Sequence, residues 1–154
     1  MANTCFVTIT VKCDGQEELE RLHGHLESEI RKADEERRGL CLGSDRYLFD
    51  EYMELESDEL KMNGCVKWGY DDDEVIALLN YLKGVAAVSR LKLEYEELGC
   101  CLYGFYLYEN GVLEDHYIPC SDFPDCDSDS YYDELERVLE EDGTVNVILA
   151  DEAA

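Results

Sequence analysis

Basic residues are what this sequence has least of: 13 Lys and Arg stand against 38 Asp and Glu, a formal net charge of −25 over 154 residues. The shortage is steepest towards the C-terminus. From Glu94 to Ala154 there are 18 acids and one base, Arg137, against 20 acids and 12 bases before them. Such a field excludes nucleic acid and anionic membrane as direct partners and steers basic partners inward. It also far exceeds the net charge of roughly 2–8 that keeps a small domain soluble. No apolar run approaches the ~20 residues that span a bilayer. The opening Met1-Ala-Asn-Thr-Cys-Phe6 has neither a basic n-region nor a long apolar stretch, so the expectation is a cytoplasmic chain.

The motifs of common enzyme chemistry are missing as well. There is no phosphate-cradling G-x-x-x-x-G-K-[ST], no G-x-G-x-x-G after a strand and no G-x-S-x-G. His23 and His25 stand two apart on a helix, face different ways and make no zinc spacing with Cys13; both read as surface residues. His116 has no Ser or Cys motif near it. The eight cysteines (5, 13, 41, 65, 100, 101, 120 and 126) include no C-x-x-C pair, and in a reducing compartment they read as free thiols. We therefore expect no enzyme and no cofactor.

What the chain does have is core-forming residues: 45% are apolar, with 11 Tyr and 4 Phe, enough for one folded domain of ordinary size. Cys5 to Lys12 is β-branched and apolar, a first strand. Leu19, Leu22, Leu26 and Ile30 recur at helical spacing as far as Arg38. The segment 46–61 suits a strand or a helix equally. Asn63-Gly64 reads as a hairpin turn leading into a strand at 65–68. Asp71-Asp-Asp-Glu74 opens a second helix with Val75, Leu78, Leu79 and Leu82 as its stripe. Strands follow at 90–97, 101–109 and 112–118, the last two joined by Asn110-Gly111. A polar loop, a short acidic helix (131–141) and a candidate edge strand from Thr144 complete the chain. This is an α+β pattern. The order β-α-β-β-α-β predicts a ferredoxin-like split βαβ sandwich, helices on one face of an antiparallel sheet, over 1–118, with an acidic extension over 119–154.

Tyr95, Glu97 and Gly99, then Gly104, Tyr108 and Asn110-Gly111, form a pattern that resembles the signature of the YubB-type ferredoxin-like domain family of phages, plasmids and other mobile elements. Met1, Asn3 and Cys5 resemble its Met-x-Asn-x-Cys opening, and Trp68 its Trp before the second helix. Thr4 stands where that family usually has an aromatic residue, and Val7 where it has Asn. The resemblance covers residues 1 to about 118. It implies the fold, a mobile-element origin in a bacterial host cell and no catalytic residues.

Two readings of the acidic tail remain. Asp125, Asp127, Asp129, Asp133 and Glu136 fall at positions 1, 3, 5, 9 and 12 of an EF-hand loop. Ser130 replaces the turn Gly and Pro124 blocks an entering helix, so a calcium module is the lesser alternative and no metal is expected. The other reading is mimicry of nucleic acid. Residues 131–142 carry six acids and one Arg over about 18 Å of helix, a length in which one DNA strand carries about five phosphates. The expected contact set is Asp125, Asp127, Asp129, Tyr131, Tyr132, Asp133, Glu134, Glu136, Glu140 and Glu141, with Asp71, Asp72, Asp73 and Glu74 as a second acidic face. The expected partner is a basic nucleic-acid-binding protein such as a host defence nuclease, inhibited in the manner of an anti-CRISPR or anti-restriction protein. A phage or plasmid accessory or assembly protein without mimicry is the alternative.

Overall fold

The computed structural model describes residues 4–44, 46–125 and 130–150. They form eight strands, β1 (Thr4–Cys13), β2 (Leu40–Cys41), β3 (Tyr47–Leu55), β4 (Leu60–Lys67), β5 (Val88–Glu97), β6 (Leu102–Glu109), β7 (Val112–Tyr117) and β8 (Thr144–Ala150). Three α-helices accompany them: α1 (Gln16–Glu35), α2 (Asp72–Val85) and α3 (Tyr131–Asp142). The fold is α+β. All strands join one antiparallel sheet in the order β2-β3-β4-β1-β5-β6-β7-β8.

Alternation along β1 sorts the sheet into two faces. Cys5, Val7, Ile9 and Val11 are buried on the first face, while Phe6, Thr8 and Thr10 point to the second. Helices α1 and α2 both lie on the first face. Leu19, Leu22 and Leu26 of α1 and Val75, Leu78, Leu79 and Leu82 of α2 join Ile9, Val11, Leu60, Met62, Leu91 and Leu93 in one core. Each of these large side chains contributes about 1.5–3 kcal/mol by leaving water. The start of α2 is fixed by a capping box: Glu74 N–H donates to Asp71 Oδ1 (2.8 Å) and Asp71 N–H to Glu74 Oε1 (3.2 Å). Arg46 then clamps the same Glu74 carboxylate with two bonds of 2.6 and 2.8 Å and donates to the Lys67 carbonyl, tying the helix to β4.

Several expectations change. The sheet has eight strands, larger than the expected sandwich. The third helix lies on the second face, because Leu135 and Val138 pack with Ile118, Tyr103 and Leu98 in a separate small core. The segment 47–55 is a strand. Asn63-Gly64 is no turn: both residues sit inside β4, and the chain reverses at 56–59, where Glu56 N–H donates to the Glu59 carbonyl. Gly64 is there for room, since a Cβ would stand 2.6 Å from Cδ1 of buried Leu48. Asn110-Gly111, by contrast, is a hairpin turn, with φ of 54° and 79°. His25 is half-buried and joins α1 to α2 through a 2.6 Å hydrogen bond between Nε2 and the Tyr81 hydroxyl.

Gly104 shows the same need for room more sharply. A Cβ there would stand 2.2 Å from the His116 carbonyl oxygen and 2.8 Å from Tyr117 Cα, backbone that cannot yield without parting β6 from β7. Gly104→Ala should cost about 1–3 kcal/mol and lower Tm by several degrees in differential scanning calorimetry. Gly24, within α1, has nothing within 4 Å of its added Cβ, so Gly24→Ala should stabilise by about 0.5–1 kcal/mol. Equal shifts in the two variants would contradict the packing described.

Candidate partner-binding surface

Registers across the second face can be read strand by strand. One row runs Phe49, Cys65, Phe6, Glu96, Tyr103, and the next Tyr52, Asn63, Thr8, Glu94, Phe105, His116, Val145. At about 4.8 Å per strand the first row spans about 19 Å. Helix α3 covers the β5–β8 side of this face. The β3-β4-β1 side has no helix over it among the described residues, and its aromatic side chains stand in water. Phe6 is 58% exposed, Tyr52 60% and Phe49 42%, with Trp68 (60%) at the margin. Trp68 holds a left-handed φ of 67° just after β4. With Arg46, Tyr47, Phe49 and Lys67 it borders a cleft of about 330 Å³. Single exposed apolar residues are ordinary; four exposed aromatics on one side of a sheet face make it a candidate contact surface.

Helix α3 supplies the charge beside this patch. Leu135, Val138 and Leu139 hold it to the sheet, so Asp133 points away from the sheet, while Glu136 and Glu140 stand exposed on the flank that borders the cavity beneath. These three acids are exposed and make no ion pair among the described residues, whereas Glu141 pairs with Arg137 at 3.0 Å. Between α3 and the sheet runs a groove formed by two cavities of about 630 and 220 Å³ that share Glu94, Tyr103, Phe105 and Leu139. Its floor is aromatic. Phe105 stacks on His116 with centroids 4.5 Å apart, and Lys92 Nζ rests 4.6 Å above the Phe105 ring.

The structure divides the expected contact residues. Asp133, Glu136 and Glu140 project from α3 together, with Glu134 half-buried on its flank. Tyr132 is 52% exposed and donates to Glu96 Oε1 at 2.9 Å. Tyr131 turns inward onto the small core. Asp125 is exposed, and Asp127 and Asp129 lie outside the described residues. The second acidic set is separate: α2 is on the other face, Asp71 and Glu74 are engaged in capping, and Asp72 Oδ1 accepts from the Tyr106 hydroxyl at 3.0 Å. The Arg46 guanidinium holds the Glu74 carboxyl below the usual carboxylate range. Of the calcium set, two carboxylates lie outside the described residues; among those described, no three His, Cys, Asp or Glu converge as a metal site.

Sequence reading missed Phe6, Phe49, Tyr52 and Trp68 as a surface. The signal was present in β1 and β3, where aromatics alternate with buried aliphatics, but it becomes a patch only through the pairing of β3 with β4 and β4 with β1. It also missed that the Cys120 thiol lies beside Cys101 and pushes the Cys101 thiol up. Cys100 and Cys101 lie at a 3-10 turn and its left-handed exit instead of on a strand.

One carboxyl is perturbed. Asp115, on the first face, accepts from the Tyr95 hydroxyl at 2.8 Å, and the Tyr95 ring lies 5.5 Å from that of Tyr106. Burial pushes Asp115 up to about 6, with Asp72 adding to the rise and Tyr95 and His116 opposing it. It lines neither the groove nor the cleft. A raised native pKa means that ionised Asp115 destabilises the fold, and the burden disappears as pH falls below the unfolded value near 4. Asp115→Asn keeps the acceptor for Tyr95. It should stabilise by about 1 kcal/mol at pH 7.5, after allowance for screening by water, and by nothing at pH 3.5. Thermal melts at both pH values check this, with exposed Asp73→Asn as the measure of general charge relief.

Set against known proteins, the chain matches no protein-family model, no curated protein and no solved structure.

Proposed function

We propose that this chain is an acidic binding protein that occupies the basic groove of a nucleic-acid-binding protein and so competes with nucleic acid. The observation that carries the reading is the placement of α3: its apolar stripe fastens it to the sheet and leaves Asp133, Glu136 and Glu140 exposed on its outer side and groove-side flank, beside the uncovered aromatics. Charge gives reach and orientation, and aromatic side chains give the desolvated anchors on which interface affinity depends. The only base on α3 is paired with Glu141. The bases of the N-terminal part are largely engaged within the chain, as in Arg21–Glu18, Arg46–Glu74 and Arg90–Glu109.

The inner strands in the order β3-β4-β1-β5, with α1 and α2 on one face, support reading this part as a ferredoxin-like unit extended by β6, β7 and β8. That reading agrees with the mobile-element resemblance, which makes a host defence nuclease the natural target.

The test uses the basic protein recovered by pull-down from the host. Reversal of Asp133, Glu136 and Glu140 to Lys should weaken binding at least about tenfold, about 1.4 kcal/mol. Reversal of Glu17, Glu20 and Glu35, exposed acids of α1 on the other face, should cost much less. Both triples change net charge equally, so equal losses would point to a bare polyanion effect. Binding should fall steeply with salt, and duplex should displace the chain; a ternary complex with duplex would overturn mimicry.

A further inference from the structure

We infer that the groove between α3 and the sheet is a binding site for an organic cation: an ammonium or guanidinium on an alkyl stem, as in Arg or Lys side chains and polyamines. Its volume, about 630 Å³ in the larger part, falls in the range of small-ligand sites. The floor is lined by Tyr103 and by Phe105, whose ring already has His116 and Lys92 against it, the wall is Leu139, and carboxylates flank both. Aromatic faces with carboxylates beside them attract cations and disfavour anions.

The chain itself demonstrates the fit. Lys92 places its ammonium 4.6 Å over the Phe105 ring and 3.6 Å from Glu94 Oε1. Lys92 is the only Lys or Arg among the described residues lining the two cavities, and it occupies the Phe105 end, where His116 stacks on the same ring. The Tyr103 end has the same ingredients, with Glu96 and Glu136 nearby, and no cation of its own. The negative potential there is seen in the Tyr103 phenol, which is pushed up to about 12 by burial and then by Glu136, Glu96 and Glu94. An alkyl stem along Leu139 would bring a charged head over Tyr103.

This deepens the proposed function, and rests on it only in naming the partner's Arg or Lys side chain as the natural occupant. The test needs no partner. The whole chain is titrated with spermidine and, separately, with N-acetyl-arginine amide, while the ring resonances of Tyr103 and Phe105 and the Leu139 methyls are followed by NMR. Saturable shifts confined to those groups are expected. Glu136→Gln should weaken binding about three- to tenfold and Glu20→Gln should leave it unchanged. Lys92→Met should tighten it severalfold, because the Phe105 ring and Glu94 become free; a general polyanion effect is too diffuse to gain so much from one lost charge. Response to the arginine derivative alone assigns the site to a protein side chain, and response to spermidine alone assigns it to a polyamine. No localised shift with either cation, or equal losses in Glu136→Gln and Glu20→Gln, overturns the site. A localised cation site in a chain that ignores the basic protein leaves the groove standing and removes the mimicry; the converse removes the groove alone.

Discussion

The structure depends on one mismatch of area. Eight strands at about 4.8 Å spacing make a sheet about 34 Å wide, and three helices have to cover two faces of it. The apolar residues of β1, β4 and β5 commit α1 and α2 to the first face, where every large aliphatic side chain of those strands is buried. Only α3, about 18 Å long, remains for the second face. It covers the β5–β8 side and leaves the β3-β4-β1 side open. Sheets exposed on one side ordinarily carry polar residues there. This one carries Phe6, Phe49 and Tyr52 exposed, and that departure is what supports the proposed role of the second face.

Charge follows the same division. The basic residues are concentrated before residue 93 and are mostly engaged by neighbouring carboxylates, two of them on α1 itself. The C-terminal part adds acids almost without bases and mounts them on α3, next to the open aromatics. Asp115 and Tyr106 show what burial does to such groups on the first face, where the carboxyl and the phenol are both pushed towards their neutral forms. The exposed acids Asp133, Glu136 and Glu140 of α3 have no such burial, so they present their charge to solvent.

The parts of this arrangement that local chemistry decides were legible in the sequence. The helical stripe of Leu19, Leu22 and Leu26, the acidic opening of α2 and the Asn110-Gly111 turn all stand as read. Errors arose where long-range pairing decides. Asn63-Gly64 has the composition of a turn, yet Gly64 answers to the Leu48 side chain on the adjacent strand. The segment 47–55 has no clear periodicity because a bulge between Phe49 and Tyr52 breaks the alternation. The acids of α3 were found by composition, but Tyr131, counted with them, faces inward. The aromatic patch was not found, since its members lie on β1, β3 and the segment after β4, far apart in the chain.

The central claim is that the second face, with α3, meets a basic partner. The most direct measurement is hydrogen–deuterium exchange of the chain alone and in complex with its recovered partner. The account predicts protection that appears on α3, β3 and the segment around Trp68, with α1 and the outer side of α2 unchanged. Protection concentrated on α1 and α2, with α3 and Trp68 exchanging as in the free chain, would contradict it.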